Sequence, residues 1–288
     1  MSEMSIPPIT DDPRDLRSRI ADWRRAGERI ALVPTMGALH AGHLALVEEA
    51  AKHGERVVVS IFVNPTQFAP HEDFDQYPRD LEGDAAKLGT IGVDLIYAPT
   101  IDAMYPTGHQ TTVSVKGLTQ PMEGAHRPHF FDGVTTIVSK LFIQVAPDVA
   151  VFGQKDYQQL LVIGQMARDL DLPVEVIGLP TVREADGLAL SSRNAYLSED
   201  ERRIAVELSR TLIGISDRLA GGAAFGELGE AAKARLETLG FDAPDYLDFR
   251  DAETLQPMER ADRPGRLLVA ARLGKTRLID NMPVPVAV

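Results

Sequence analysis

The chain has 288 residues, 44% hydrophobic and 25% charged, the make-up of a globular protein long enough for two domains and not of a disordered or fibrous chain. Its 30 basic and 42 acidic residues leave a formal charge of -12, which disfavours a broad nucleic-acid or anionic-membrane surface but allows a local Arg and Lys cluster facing a small anion. The lack of cysteine excludes disulfides, thiolate metal sites and a cysteine nucleophile; with no signal-type start and no apolar run near the ~20 residues of a membrane span, a cytoplasmic location is expected.

Asp11 or Asp12 can cap a helix that Pro13 begins and Gly27 ends, with Leu16, Ile20 and Trp23 at helical spacing. The apolar run from Ile30 to Val33 predicts a strand. A tight turn from Pro34 to His43 and an amphipathic helix carrying Leu44, Val47 and Ala51 follow it. Such a junction offers helix N-terminal N–H groups to an anion, and Gly37 and Gly42 permit close approach. His40 and His43 can add side-chain donors, or can serve simply as helix caps. Gly37 and Gly42 have P-loop spacing, but His43 and Leu44 stand where Lys and a hydroxyl are needed, so that mechanism is excluded. No G-x-G-x-x-G occurs, and the two histidines have no obvious third partner for zinc.

Val57 to Val63 is an unbroken β-branched run, as in a strand buried on both faces, and Asn64-Pro65-Thr66-Gln67-Phe68 breaks it. A helix from about Arg79 to Leu88 and a short strand from Asp94 to Ala98 come next. Alternation predicts a further strand from Thr111 to Val115. The Pro-, Gly- and His-rich stretch from Gly117 to Gly133, with Arg127 central, reads as a mobile flap, and Val134 to Val145 as an apolar helix. The strand–turn–helix grammar repeats at Val149 to Phe152, Gly153-Gln154-Lys155-Asp156 and the helix of Leu160, Ile163, Met166 and Leu170, followed by a strand from Val174 to Ile177.

After Asn194 the texture changes. Ser198 and Glu201 form a capping box for a helix carrying Ile204, Leu208, Leu212 and Ile215, and Gly221-Gly222 closes it. A helix from Leu228 to Leu239 and strands at Tyr246 to Phe249, Leu267 to Leu273 and Arg277 to Ile279 complete the chain. The expected architecture is α/β: a Rossmann-like parallel-sheet domain over 1–185 and a smaller C-terminal α+β domain over 186–288.

His40-Ala41-Gly42-His43 fits the H-x-G-H motif of the adenylate-forming nucleotidyltransferase superfamily. The fuller string from Pro34 to His43 resembles the pantothenate synthetase family. So do Phe62 to Phe68, Tyr77-Pro78-Arg79, Phe131-Asp132-Gly133-Val134, Phe152 to Gln159, Leu190 to Asn194 and Arg272 to Asn281. The resemblance implies ATP-dependent activation of pantoate to pantoyl adenylate, with loss of pyrophosphate, then attack by β-alanine to give pantothenate and AMP.

On the same resemblance His40 and His43 contact ATP, His43 matching a proton donor, while Met36, Gly37, Ala38, Leu39, Ala41 and Gly42 line the nucleotide site. Lys155 is a compact cation for phosphates, beside Gly153, Gln154 and Asp156. Gly153, Gln154 and Asp156 are expected with it at the ATP site, the family often having Glu where Gln154 stands. Leu190, Ser191, Ser192 and Arg193 offer hydroxyls and a planar fork, and Val182 matches a backbone contact to adenine. Gln67 and Gln159 are expected on pantoate, Gln67 also on β-alanine, with Asn64 and Arg127 as weaker candidates. Mg2+ is expected to bridge the phosphates with Asp84 as one carboxylate ligand. The resemblance also implies a homodimer and a C-terminal domain that acts as a lid. A nucleotidyltransferase with another acceptor would share the turn without needing Gln67 and Gln159.

Overall fold

The computed structural model describes residues 6–70 and 72–287. By their contacts these divide into two compact units. One holds the described residues up to Gln154 together with Gln159–Pro180, the other Lys155–Gln158 with the described residues from Thr181 onward. Residues 155–158 and 181–185, placed in the first domain on sequence grounds, therefore group with the second unit.

In the first unit β1 (Ile9–Thr10) and α1 (Pro13–Arg25) precede β2 (Ile30–Thr35), α2 (Ala41–Ala50) and β3 (Arg56–Ile61). Asp12 caps α1 through Arg14 N–H, with Pro13 in the first turn. Then come α3 (Leu81–Gly89), β4 (Leu95–Tyr97), α4 (Ile101–Met104), α5 (Glu123–His126), α6 (Phe130–Val145), β5 (Val149–Gly153), α7 (Tyr157–Asp169) and β6 (Glu175–Leu179). The strands form one parallel sheet in the order β1-β4-β3-β2-β5-β6. Alternation along β2 explains its unbroken apolar run. Ile30 and Leu32 join the core under α1 and α6, while Ala31 and Val33 join the opposite core with Val47 and Ala50 of α2. Each fully buried Val, Leu or Ile contributes roughly 1.5–3 kcal/mol to holding the layers together.

The strand order reverses between β2 and β5. Open α/β sheets bind ligands beyond the carboxyl ends of strands at such a switch point. The turn after β2 and the start of the turn after β5 lie there.

One expectation needs correction. Residues 111–115 are not a strand, because their backbone is taken up by α6: Val113 N–H donates to Thr136 Oγ1 at 3.0 Å, and Thr135 Oγ1 donates to Val113 O at 2.6 Å. Within the segment from Gly117 to Gly133, α5 and the first turn of α6 are helical, and Met122 and Glu123 are buried.

The second unit carries α8 (Glu199–Ala220), α9 (Phe225–Thr238), β7 (Tyr246–Asp251), β8 (Gly265–Leu273) and β9 (Thr276–Val284). The strands form an antiparallel sheet, β7-β8-β9. Ser198 and Glu201 make the expected capping box on α8. Leu208, Leu212 and Ile215 of α8 pack with Leu247, Phe249, Leu267 and Val269 of the sheet.

Candidate active site

Backbone geometry shapes the turn after β2. Gly37 has φ +86, and a Cβ there would meet Asp84 Oδ2 and Ile61 Cγ2 at 3.2 Å, so only glycine fits without displacement. Ala38 follows in the left-handed region at φ +51. Hydrogen bonds on either side hold this conformation: Gly37 N–H donates to Thr35 Oγ1 at 3.2 Å, and Leu39 N–H to Asp84 Oδ1 at 2.8 Å.

His40 is the N-cap of α2, and the two histidines make a reciprocal capping box. Gly42 N–H donates to His40 Nδ1 at 3.1 Å, and His40 N–H donates to His43 Nδ1 at 3.3 Å. The helix start was expected to present its N–H groups to an anion. Those of His40, Gly42, His43 and Leu44 are instead bonded within the turn. Because each Nδ1 accepts, each neutral ring carries its proton on Nε2 and is a donor there. The rings lie 4.1 Å apart, so capping and donation are two nitrogens' work on the same side chains.

Asp84, expected at a magnesium site, is engaged in the turn itself. It is 1% exposed; Oδ1 accepts from Leu39 N–H and from Lys87 Nζ at 3.4 Å, while Oδ2 is buried against Gly37. Among the described residues no group of three His, Asp or Glu could hold a metal ion. Met36 and Gly37, with Phe62, Pro78 and Asp84, line a cavity of about 290 Å³ beside the turn.

Beyond β3, Asn64 is buried and caps the 3₁₀ turn Pro65–Gln67. Its Oδ1 accepts from Thr66 N–H at 3.3 Å and from Tyr105 OH at 2.9 Å; its Nδ2 donates to Gly133 O at 3.1 Å and to Gln67 Oε1 at 3.0 Å. The backbone partners leave only one orientation for the Asn64 amide. Gln67 is consequently held with its oxygen turned to Asn64, and its NH2 is the end it offers a ligand. Burial pushes the Tyr105 hydroxyl above its ordinary pKa despite hydrogen bonds to Thr66 and Asn64, so it remains a neutral donor. Tyr105 was missed in the sequence, where nothing separates it from other tyrosines. Arg127 is a strut behind Gln67: it donates to both Glu72 oxygens at 2.7 Å and to Gln67 O at 2.9 Å, with its guanidinium 4.0 Å over Phe130.

Gln159 lies in the first turn of α7. Gln154 Nε2 donates to Gly178 O of β6 at 3.1 Å, a tie within the sheet unit. In the second unit Arg183 and Ala189 form a β-bridge, and Leu190 N–H donates to Val182 O at 3.0 Å. This brings Val182 beside the string that continues into Ser191, Ser192 and Arg193. Ser191 Oγ accepts from Arg193 N–H at 3.3 Å and caps the 3₁₀ turn Ser192–Tyr196. Lys155 follows β5 by two residues, and among the described residues no carboxylate pairs with its ammonium.

Fold and turn together define a nucleotide-binding α/β enzyme with an H-x-G-H motif. A family model described as pantoate-beta-alanine ligase matches residues 8–283. The chain belongs to this family. A pantothenate synthetase of Caulobacter vibrioides is 54% identical over 98% of this chain and 100% of its own length, and one of Mesorhizobium japonicum is 54% identical over 99% and 100%. The crystal structure of pantothenate synthetase from Thermus thermophilus superposes with a TM-score of 0.91 at 48% identity, covering 96% of this chain and 99% of that one. The Francisella tularensis pantoate-beta-alanine ligase, described as complexed with beta-gamma ATP and beta-alanine, superposes with a TM-score of 0.82 at 32% identity over 96% and 97%.

Proposed function

We propose that this chain condenses pantoate with β-alanine at the expense of ATP, through a pantoyl adenylate. The observation that carries the mechanism is the double cap, which sets both His40 and His43 as Nε2–H donors. The pantoate carboxylate attacks the α-phosphorus and pyrophosphate leaves. Negative charge grows on the bridging oxygen, where preformed donors act most strongly. His40 and His43 donate to the phosphates, and on the family resemblance Lys155, Ser192 and Arg193 are further phosphate-binding candidates, two cations and a hydroxyl. Mg2+ entering with ATP would supply neutralising charge at the phosphates.

Gln67 gives its NH2 to the oxygens of the hydroxy acid, and Gln159 assists. In the second half the β-alanine amine attacks the acyl carbonyl, the C–N bond forms, and AMP leaves with the bonding pair of the C–O bond. Prepositioning of each pair of reactants removes much of the entropic barrier. Among the described residues no helix is long and apolar enough to cross a membrane. Our reading places the enzyme in the cytoplasm as a homodimer.

Incubation with ATP, Mg2+, pantoate and β-alanine is expected to yield AMP and pantothenate in equal amounts, and ADP in place of AMP overturns the reaction. His43→Ala and Lys155→Ala are each expected to lower pantoate-dependent ATP–pyrophosphate exchange by roughly 100-fold, the scale of a lost transition-state donor. Normal exchange removes that residue from its role.

A further inference from the structure

The string ending in Asp280-Asn281 has no part in the mechanism above, yet it is among the most enclosed polar sequence in the second unit. Asn281, on β9, is 2% exposed, and its Nδ2 donates to the backbone carbonyl of Lys155 at 2.7 Å. Its amide has one possible orientation, because Oδ1 accepts from Arg266 Nε at 2.8 Å. The backbone of Asn281 is gripped as well. Its N–H donates to Asp280 Oδ1 at 2.7 Å, and its carbonyl accepts from Arg183 Nη2 at 3.1 Å.

Arg183 forms a two-pronged pair with buried Asp280 at 2.7 and 2.9 Å and also donates to Gly187 O at 3.1 Å. It is the neighbour of Val182 in the chain. The Arg266 guanidinium lies 4.0 Å over the Tyr157 ring, and Tyr157 OH donates to Ala252 O at 2.8 Å. Residues 155–157 are therefore held at a carbonyl and a ring face by the connected side chains of Asn281 and Arg266, and at the Tyr157 hydroxyl by the Ala252 backbone.

We infer that Asn281 is a positioning residue for Lys155, and that the Arg183–Asp280 pair sets Lys155 in register with the Val182 to Arg193 loop. Burying Arg266 and Asp280, with Arg183 half-buried beside them, contributes less to stability than apolar residues of similar volume would. Such a network is useful where it holds geometry, and here it ends on the backbone of Lys155. The bond is to the carbonyl, so the ammonium is left to a ligand while the α-carbon that carries it is held.

The inference rests on Lys155 serving ATP. Lys155→Met tests that reading alone, since undiminished pyrophosphate exchange removes both the reading and the inference. Asn281→Asp tests the positioning. It keeps an oxygen for Arg266 but sets a second oxygen against the Lys155 carbonyl. Exchange is expected to fall at least about tenfold, because misplacement of a reacting group by about 1 Å has effects on that scale. The thermal midpoint should stay within about 3 °C of the parent and KM for pantoate within about twofold. On a Lys155→Met background the same change should lower exchange by less than about a further twofold, as for two residues acting as one unit.

If Asn281→Asp does not fold, Asn281→Ser shortens the side chain without adding charge and carries the same paired comparison. Losses that multiply with those of Lys155→Met, or full exchange in a folded Asn281 variant while Lys155→Met is impaired, overturn the positioning role and leave the ATP reading of Lys155 intact.

Discussion

Leu39 N–H donates to Asp84 Oδ1 at 2.8 Å, and Lys87 Nζ donates to Leu39 O at 2.9 Å. Two side chains of α3, one turn apart, thus grip both sides of a residue in the histidine turn. A hydrogen bond to a charged group contributes about 1.5–3 kcal/mol. Asp84→Ala is expected to lower kcat/KM for ATP by about 10- to 100-fold, and Lys87→Met to act in the same direction by a smaller factor. Titrating Mg2+ at saturating ATP separates this from metal binding. Recovery of Asp84→Ala at high Mg2+ would return Asp84 to the metal.

The Tyr105–Asn64–Gln67 chain predicts a substrate-selective defect. Tyr105→Phe removes the hydroxyl's neutral hydrogen bonds to Asn64 and Thr66 and leaves Asn64 less firmly set, which should raise KM for pantoate roughly fivefold, about 1 kcal/mol, with KM for ATP unchanged. Equal rises for both substrates would show that Tyr105 supports the fold in general and not Gln67.

Gly133 is required by close approach. A Cβ there would lie 2.5 Å from Thr66 O and 3.0 Å from Gln67 N, both backbone atoms with no rotamer to escape into. Gly133→Ala is expected to destabilise by about 1–3 kcal/mol and to displace Gln67 from pantoate. Chemical denaturation together with pantoate KM measures both effects, and an unchanged midpoint would contradict the packing argument.

Acid stability of the second unit should depend on Asp251. Burial raises its pKa, but the N–H groups of Thr254 and Glu253, the Thr254 hydroxyl and Arg263 outweigh it and hold the carboxyl well below the usual range. With the folded pKa depressed, the stabilisation is present above the ordinary carboxylate pKa and is lost as pH falls through the folded value. Asp251→Asn should lower stability by roughly 2 kcal/mol at pH 7, with the gap to the parent closing in strong acid. A gap constant with pH would show that the carboxylate's charge is not involved.

Short-range patterning made much of the fold legible. The two-faced burial of β2 and β3, the caps at Asp12 and Ser198, and the glycine at position 37 follow from neighbours a few residues apart, and so did the α/β class and the family resemblance. The strand expected at 111–115 failed because alternation records which side chains are apolar and not what accepts the backbone hydrogen bonds; there the partners are Thr135 and Thr136.

Residue types in the strings from Pro34 to His43 and from Phe62 to Phe68 were enough to name His40, His43 and Gln67 as candidates. Which nitrogen of each histidine donates, which end of the Gln67 amide faces outward, and that Asp84 braces a turn were decided by tertiary structure alone. Those properties depend on hydrogen bonds such as Leu39 to Asp84 and Asn281 to Lys155, which join residues 45 and 126 positions apart. A sequence states which groups can donate and accept; only the folded chain settles which of them are already engaged.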